Sequence, residues 1–273
     1  WTFTPDTALG EGSHSFTVRA TDPQGNLSAV SAPWSVVVDL TAPTVPTLDN
    51  VNDDVSGGVQ GNLTSGQVTN DSTPTISGTG LAGSTIHIMN NGTQIGTTTV
   101  DGSGNWSFTP TTPLGDGSYS LRAYATDAAG NASANSSVFA FTVDTAAPGV
   151  PVVTSVVDDV GPVTGTLTSG NSTNDARPTF SGTGEVGSTV HVLVDGNEIG
   201  TAVVNAQGNW SFTPGSDLAE GPHAITFNAT DAAGNTGATT APFNLTVDTG
   251  VPLAPVISTA GDNVGSIQTP LSS

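Results

Sequence analysis

The sequence predicts an all-β protein built from tandem β-sandwich domains, and three observations predict this fold class. The 273 residues include 34 Gly and 18 Pro, which both disfavour helix interiors. Short runs alternate apolar and polar residues, as half-buried strands do, and turn-forming residues separate them. The segment Asn105–Pro110 (NWSFTP) returns unchanged at Asn209–Pro214. The chain is therefore predicted to repeat one strand-rich unit.

The charge balance excludes several classes of partner. The chain has three Arg, no Lys and 23 carboxylates, which gives a formal net charge of −20. A protein that binds nucleic acid or an anionic membrane surface needs a basic patch, which three Arg cannot form. The absence of Cys excludes disulfides, thiol catalysis and Cys-ligated zinc. No apolar run is long enough to span a membrane, and no signal peptide is visible.

The repeat unit is 104 to 105 residues long. Trp106 and Trp210 follow Trp1 at spacings of 105 and 104 residues, and three loops, TDPQGN and twice TDAAGN, keep the same step. A unit of this length suits a whole domain rather than a solenoid repeat. We name the loops the TD loops: Thr21–Asn26, Thr126–Asn131 and Thr230–Asn235.

This register predicts the domain organisation. The first repeat, residues 1–43, is expected to be the C-terminal half of a truncated unit. The second repeat, 44–148, and the third, 149–252, are expected to be complete, and residues 253–273 to start a further one. On this interpretation the chain is a segment of a longer protein, and anchoring or catalytic regions can lie outside it.

The second repeat predicts seven strands, which we letter A to G. They lie at Val45–Val51, Pro74–Thr79, Thr85–Met89, Gln94–Val100, Trp106–Thr109, Tyr119–Thr126 and Val138–Val143. The side chains expected to point inward are Phe16, Leu121 and Ile225 on F, Trp34, Phe139 and Phe243 on G, and Trp106 and Trp210 on E. Seven short strands in about 100 residues are typical of an immunoglobulin-type sandwich. The predicted fold is therefore a set of tandem seven-stranded immunoglobulin-like β-sandwiches arranged end to end.

The order of motifs resembles a known family. DDVG, TND, RPTFSGTG, STVHV, GNWSFTP and TDAAGN, closing on VDT and AP, look like the bacterial Ig-like repeats of giant surface adhesins exported by type I secretion. The resemblance covers essentially the whole chain. It implies an extracellular, calcium-stiffened rod at the bacterial cell surface, which projects a terminal binding region or holds cells together in a biofilm. The implied partners are neighbouring repeats and, through regions outside this segment, a host or abiotic surface.

The acidic residues keep the repeat register, with 13 of the 19 Asp at equivalent positions. Clustered carboxylates repel one another unless a cation binds, and the chain has too few Arg to neutralise them. Calcium takes six to eight oxygen ligands, and the lack of repeat-locked His or Cys among these acids argues against zinc. We therefore predict Ca²⁺ as the cofactor. The candidate ligands are Asp39, Asp53, Asp54, Asp71, Asp127, Asp144, Asp158, Asp159, Asp175, Asp231 and Asp248.

Strand direction predicts which acids converge. In a sandwich whose strands alternate in direction, the A–B loop and the end of strand G face the following domain, and the F–G loop faces the preceding one. The strongest cation site is therefore expected between the second and third repeats. Its expected ligands are Asp53, Asp54, Asp71, Asp144 and Asp231. The alternative for an Asp in TDAAGN or TND is that it caps a turn through its own backbone.

Two motifs suggest other chemistry and are set aside. Gly78, Gly80 and Gly83 match a dinucleotide-binding pattern, but an alternating strand-like segment follows them instead of a helix. The pair Asp53 and Asp54 could suggest a glycosidase, yet it recurs in each domain beside a linker. We predict a non-enzymatic spacer. The alternatives are a glycan- or protein-binding module and accessory domains of a large secreted enzyme.

Overall fold

The computed structural model describes residues 1–258, and beyond them the backbone of two short strands, Ala260–Gly261 and Pro270–Leu271. Most of the predicted start of a further repeat, 253–273, therefore lies outside the described residues. All regular elements in the described part of the chain are β-strands. No helix able to cross a membrane occurs among those residues. The chain forms two compact units, one of residues 1–148 with 230–237 and one of 149–229 with 238–273.

The strands of the first and second repeats lie in the first unit. They are β1 Gly12–Phe16, β2 Trp34–Val38, β3 Asn50–Asp53, β4 Gly61–Asn62, β5 Val68–Thr69, β6 Thr75–Thr79, β7 Thr85–Asn90, β8 Thr93–Thr99, β9 Asn105–Phe108, β10 Gly117–Thr126 and β11 Phe139–Val143. The second repeat forms a four-stranded sheet in the order β4-β3-β6-β9 and a five-stranded sheet in the order β5-β11-β10-β7-β8. Only β5 and β11 pair in parallel within these two sheets; the other pairs are antiparallel. The all-β sandwich prediction is confirmed.

Alternating burial along the strands builds the core of the second repeat. Ile86 and Ile88 on β7 and Leu121 on β10 are fully buried between the two sheets. Trp106 on β9 is buried as predicted, and its indole N–H donates to the Thr79 carbonyl at 3.1 Å. Phe139 is half-buried against the same cluster.

The first repeat departs from the expected core. Trp34 and Phe16 were both predicted to point into the core. The prediction is wrong for Trp34, whose exposed fraction is 74%, while Phe16 is half-buried. The physical reason is that β2 pairs only with β1 in a two-stranded sheet, so no second sheet in the described residues covers Trp34.

The third repeat has the same order of strands in the second unit. They are β12 Val152–Asp158, β13 Gly165–Thr166, β14 Asn171–Thr173, β15 Thr179–Thr183, β16 Thr189–Val194, β17 Asn197–Val203, β18 Asn209–Phe212, β19 Gly221–Thr230 and β20 Phe243–Val247; the two short strands near the end of the chain are β21 Ala260–Gly261 and β22 Pro270–Leu271. The sheets run β13-β12-β15-β18 and β14-β20-β19-β16-β17. Ile225 and Trp210 are buried as predicted, and Phe243 is half-buried beside them.

Strand A and the segment after it differ from the prediction. Strand A was expected at Val45–Val51 but is observed at Asn50–Asp53, and the segment taken as one loop contains β4 and β5. Such two-residue strands carry no periodic signal, and β5 exists because it pairs in parallel with β11, which is a tertiary contact. The other six strands lie within two residues of their predicted bounds.

The glycine-rich motif spans the end of β6 and the turn before β7, and a strand follows it as predicted. Gly78 lies in β6, and β7 begins at Thr85, so no helix follows. A side chain at Gly78 would overlap both the Thr47 carbonyl and the Trp106 ring. This glycine therefore allows close packing of strand and indole, which explains its place in the motif without any nucleotide.

Candidate metal centre

One threonine hydroxyl group joins two buried Asp residues of the second repeat. Asp53 ends β3 and Asp71 follows β5, and each is 1% exposed. The Thr69 hydroxyl donates to Asp53 Oδ2 at 2.5 Å and accepts the Asp71 backbone N–H at 3.0 Å. Thr69 thus positions both acids, a role that was not predicted although the residue belongs to the recurring TND motif. The structure thus brings Asp53 and Asp71 together at one end of the sandwich.

Two oxygens at this place have no hydrogen-bond donor. Asp71 Oδ1 accepts the Thr73 N–H at 2.7 Å, but Asp71 Oδ2 is buried without a partner. The neighbouring Asn70 Oδ1 is also buried without a partner, while its amide nitrogen donates to the Ser56 carbonyl at 3.3 Å. A buried acceptor without a donor costs desolvation energy. The donor set of carboxylate and amide oxygens therefore fits a hard cation such as calcium.

The third repeat builds the same pair from equivalent residues. Asp158 and Asp175 are both buried, and the Thr173 hydroxyl links them through distances of 2.6 and 3.0 Å. Here Asp175 Oδ2 accepts a long hydrogen bond from the Asp159 N–H at 3.4 Å. A cavity of about 610 Å³ opens beside them, lined by residues that include Asp158, Thr173, Asn174 and Asp248.

The acids after each final strand form local turns. Asp39 accepts the Thr41 N–H, Asp144 the Ala146 N–H and Asp248 the Gly250 N–H, at 3.0 to 3.1 Å. The Asp144 backbone N–H also donates to the Thr69 carbonyl at 2.9 Å. The Asp248 N–H makes the equivalent bond to the Thr173 carbonyl at 2.8 Å. Asp144 and Asp248 are therefore held near the buried pairs by backbone bonds, while one oxygen of each of the three carboxylates caps its own linker.

The TD loops use their Asp as an internal cap. Asp127 Oδ1 accepts the Ala129 and Asn131 N–H groups, and its Oδ2 accepts the Asn131 side-chain amide, all at 2.9 Å. The Asn131 amide, with these backbone donors, lowers the pKa of Asp127. Asp231 makes the equivalent bonds within its loop, to Ala233, Gly234 and Asn235. The turn-capping alternative is thus the role that the geometry shows for both acids.

The expected convergence of five carboxylates does not occur. Asp54 is exposed, and Asp231 directs its carboxylate into its own loop. Among residues 1–258, no three Asp, Glu or His side chains form a group able to hold a metal ion. The physical reason is that short polar loops satisfy an Asp most readily through their own N–H groups. The role of the eleven acids as ligands stays a prediction, centred on the Asp53–Asp71 and Asp158–Asp175 pairs.

Each of the two later TD loops also contacts a carbonyl after a G strand. The Asn131 amide donates to the Asp39 carbonyl at 3.0 Å, and the Asn235 amide donates to the Asp144 carbonyl at 2.8 Å. The second contact lies within the first compact unit, because residues 230–237 belong to that unit. The final Asn of the TD motif therefore joins its loop to the chain about 90 residues earlier.

The profile of the bacterial Ig-like domain matches residues 1–40, 43–145 and 151–249. Exoglucanase B of Cellulomonas fimi is 30% identical over 258 residues, which are 90% of this chain and 21% of that protein. The chain thus spans about a fifth of that relative.

Solved structures with a similar fold share little sequence with this chain. Fibronectin(III)-like modules of Clostridium thermocellum CbhA are 19% identical, with a TM-score of 0.42 over 67% of this chain and 90% of theirs. A tetra-tandem repeat from the extending region of a large adhesion protein is 23% identical, with a TM-score of 0.30 over 93% and 58%. The family profile, by contrast, matches almost the entire length in three copies. The chain therefore belongs to the bacterial Ig-like domain family.

Proposed function

We propose that this chain is a non-enzymatic, calcium-stiffened spacer in the stalk of an extracellular bacterial adhesin that serves surface attachment or biofilm formation. Three matches to one domain family in a single chain support a role in spacing. Each complete repeat has its own hydrophobic core. The buried acid pairs at the ends of both repeats support the part played by calcium.

The observation that carries the proposal is the unpartnered carboxylate oxygen of Asp71. Its Oδ2 is buried without a hydrogen-bond donor, beside a second buried carboxylate, Asp53, and a second unpartnered oxygen, Asn70 Oδ1. Leaving such a group unpaired is costly, and bringing two carboxylates together adds repulsion. A bound cation would remove both costs. The residues that would hold it are Asp53, Asn70 and Asp71 in the second repeat and Asp158, Asn174 and Asp175 in the third.

Calcium then acts on stability through linkage. An ion that binds the folded chain and not the unfolded one adds RT ln(1 + [Ca²⁺]/Kd), about 2.7 kcal/mol at 100 times Kd. At the calcium concentration outside a cell the folded repeats gain this stability. Inside the cell, where calcium is scarce, the acidic chain stays less stable before export.

The direct test is thermal unfolding of the 273-residue chain with calcium and with excess EDTA. We expect calcium to raise the midpoint of the wild type. Asp71→Asn should lose most of the rise that the second repeat contributes, because the amide removes one anionic ligand. The matched control is Asp101→Asn, an exposed acid that only caps the turn to Asn105; it should keep the full rise. An equal midpoint for the wild type in both buffers would refute the calcium part of the proposal.

Stiffening has its own measurement. Small-angle scattering of the wild type should give a larger and better-defined maximum dimension with calcium than with EDTA. Scattering curves that superpose in the two buffers would contradict stiffening by calcium, even if calcium raised the unfolding midpoint.

A second candidate is an accessory segment of a large secreted enzyme. The observation that favours it is the 30% identity with an exoglucanase over 90% of this chain. In that setting the repeats would space a catalytic domain from the substrate, again without chemistry of their own. The test is the activity of the chain on cellulose and on a soluble aryl-glucoside, for which we expect none. Release of reducing sugar by the pure chain would contradict both candidates.

A glycan-binding module receives less support from the two complete repeats. In residues 44–252 every Trp, Tyr and Phe is buried or half-buried, so no exposed aromatic ring offers a sugar platform there. Sedimentation with microcrystalline cellulose should leave the chain in the supernatant. Retention on the pellet that soluble cello-oligosaccharide reverses would instead favour the binding module.

A further inference from the structure

Two consecutive glycines of the second repeat lie against the backbone of the third TD loop. A side chain at Gly58 would overlap the Ala233 carbonyl oxygen, and one at Gly57 would overlap the carbonyl of Gly234. In the reverse direction, a side chain at Gly234 would overlap the backbone of Gly57 and Gly58. All four residues belong to the first compact unit. The two backbones therefore approach more closely than any residue with a Cβ atom would allow.

The other TD loops show that this burial is not intrinsic to the motif. Gly130 and Gly234 occupy the same loop position with φ of +95° and +94°. Yet Ala129 and Gly130 are exposed, with open space around Gly130, whereas Ala233 and Gly234 are buried. The loop conformation is thus the same in both repeats, and the difference comes from the surface that Gly57 and Gly58 present.

A hydrogen bond fixes the same loop at its other end. The Asn235 side-chain amide donates to the Asp144 carbonyl at 2.8 Å and to Asp231 Oδ2 at 2.9 Å. The same amide nitrogen thus bonds to the Asp of its own loop and to the end of the preceding repeat. Contact with backbone alone means that the recognition requires small residues on both sides rather than charge.

We propose that Gly57, Gly58 and the Asp144 carbonyl form a docking surface, the glycine seat, for the Ala-Gly-Asn end of a TDAAGN loop from the following Ig-like repeat. The seat works without metal, so it does not rest on the calcium proposal. It is also selective. The corresponding segment of the third repeat is one residue shorter and carries Pro162 and Val163, whose side chains exclude an equally close approach. The seat therefore specifies which repeat can follow the second one closely.

The test measures the distance between two spin labels in the full chain. The chain has no Cys, so nitroxides can be attached at Ser103→Cys and Ala232→Cys, which replace exposed turn residues of the first compact unit. Pulsed dipolar spectroscopy in excess EDTA should give one narrow distance peak for the otherwise native chain. Gly58→Ala, which adds only a methyl group, should lose that narrow peak.

Matched controls separate the seat from general effects of adding a methyl group. Neither Gly115 nor Gly58 has a left-handed backbone conformation, but a side chain at Gly115 would meet only open space. Gly115→Ala should therefore keep the narrow peak. Gly234→Ala should lose the peak, while Gly130→Ala, with the same φ strain but open surroundings, should keep it. The β-sheet circular dichroism spectrum should be unchanged in all four variants. A lost peak would then mean that the loop no longer docks on the glycine seat, and not that the chain has unfolded.

Each outcome bears on the seat. A narrow peak that survives Gly58→Ala and Gly234→Ala would overturn the proposal, and so would a distribution that is already broad for the native chain in EDTA. If calcium restored a narrow peak to Gly58→Ala, the seat would still be supported, because the variant would still have lost the narrow distance peak in EDTA. A failure of the calcium proposal, in contrast, would leave the behaviour in EDTA unchanged.

Discussion

The second and third repeats have equivalent cores and different ends. Trp106 and Trp210 occupy the same place beneath the B strand and donate to equivalent carbonyls at 3.1 and 3.2 Å. The segments after strand A diverge, with Gly57 and Gly58 in one repeat and Pro162 and Val163 in the other. The core of each repeat has to satisfy the same packing requirement, whereas an end surface only has to suit its own neighbour.

The acid pairs show the same contrast on a smaller scale. The Thr69 and Thr173 hydroxyls donate to the first Asp of each pair at 2.5 and 2.6 Å, and each accepts the backbone N–H of the second Asp at 3.0 Å. In the third repeat, however, Asp175 Oδ2 accepts an N–H from Asp159, while Asp71 Oδ2 in the second repeat has no donor. If calcium binds as proposed, the second repeat should therefore depend on it more than the third, although the two acid pairs have the same residues.

The largest effects should come from the shared core. Trp106→Ala and Trp210→Ala should each lower the free energy of unfolding of their own repeat by about 3–5 kcal/mol, the usual loss for a buried large aromatic. Chemical denaturation followed by circular dichroism measures both. Trp34→Ala is the control, because that ring is 74% exposed and should change stability by no more than about 0.5 kcal/mol. Markedly unequal losses for Trp106 and Trp210 would break the equivalence of the two cores.

Next in size is the response to calcium at the two acid pairs. Asp71→Asn should remove a stabilisation of about 2.7 kcal/mol when calcium is 100 times Kd. Asp175→Asn should remove less, because Asp175 Oδ2 already accepts a hydrogen bond. Calorimetry of both variants with and without calcium measures the two differences. Equal losses would show that the unpartnered oxygen of Asp71 has no special part in binding.

A smaller effect belongs to the Asn of the TD loops. Asn235→Ala and Asn26→Ala both lose the bond to the Asp of their own loop, but only Asn235 also bonds to a distant carbonyl. Asn235→Ala should therefore cost about 0.5–1.5 kcal/mol more, the net value of one hydrogen bond. Urea unfolding in EDTA gives the difference. Equal costs would mean that the bond to the Asp144 carbonyl adds nothing to stability.

The smallest expected effect is a dependence of the stability of the third repeat on pH. Burial lowers the pKa of His223, but hydrogen bonds to the Ala219 carbonyl and to Asp195 outweigh it, so the pKa is raised above 6.5. The hydrogen bond from the Ala224 N–H, followed by that from His223, lowers the pKa of Asp195. The contribution of His223 is therefore complete below about pH 6.5 and is lost as the pH rises through its raised pKa. That of Asp195 is lost as the pH falls through its lowered pKa.

The matched variant comes from the second repeat, where Tyr119 donates to the Gly115 carbonyl at the equivalent place. His223→Tyr should abolish the loss of stability on raising the pH from 6 to 9, a loss of at most about 1 kcal/mol because the Asp195 side chain is 49% exposed to solvent. Unfolding midpoints at both pH values measure it. An equal pH dependence in His223→Tyr and in the wild type would exclude His223 as its source.

Much of the architecture could be predicted because its signals are local or periodic. Alternation along β7 and β10, together with a unit repeated every 104 to 105 residues, predicted the strands and the buried Trp106 and Trp210. The short strands β4 and β5 could not be predicted. They have two residues each, and β5 depends on parallel pairing with β11.

For the candidate site, the register of the Asp residues predicted that acids gather at the ends of the repeats, and Asp53 with Asp71 does so. In the structure Asp231 directs its carboxylate into its own loop, because an Asp in a short loop can accept hydrogen bonds from its own backbone N–H groups. One-dimensional register shows where an acid lies along the chain but does not show which way its carboxylate points.

By itself the sequence determined the all-β class, the repeat length, the acidic register and the family, because each is a property of residue identity and spacing. Only the tertiary structure decided that Thr69 bridges two acids, that Asp71 Oδ2 lacks a donor, and that Gly58 lies against Ala233. These features join residues from separate segments, and their energies depend on burial and on distances between atoms. Such quantities exist only once the strands have packed.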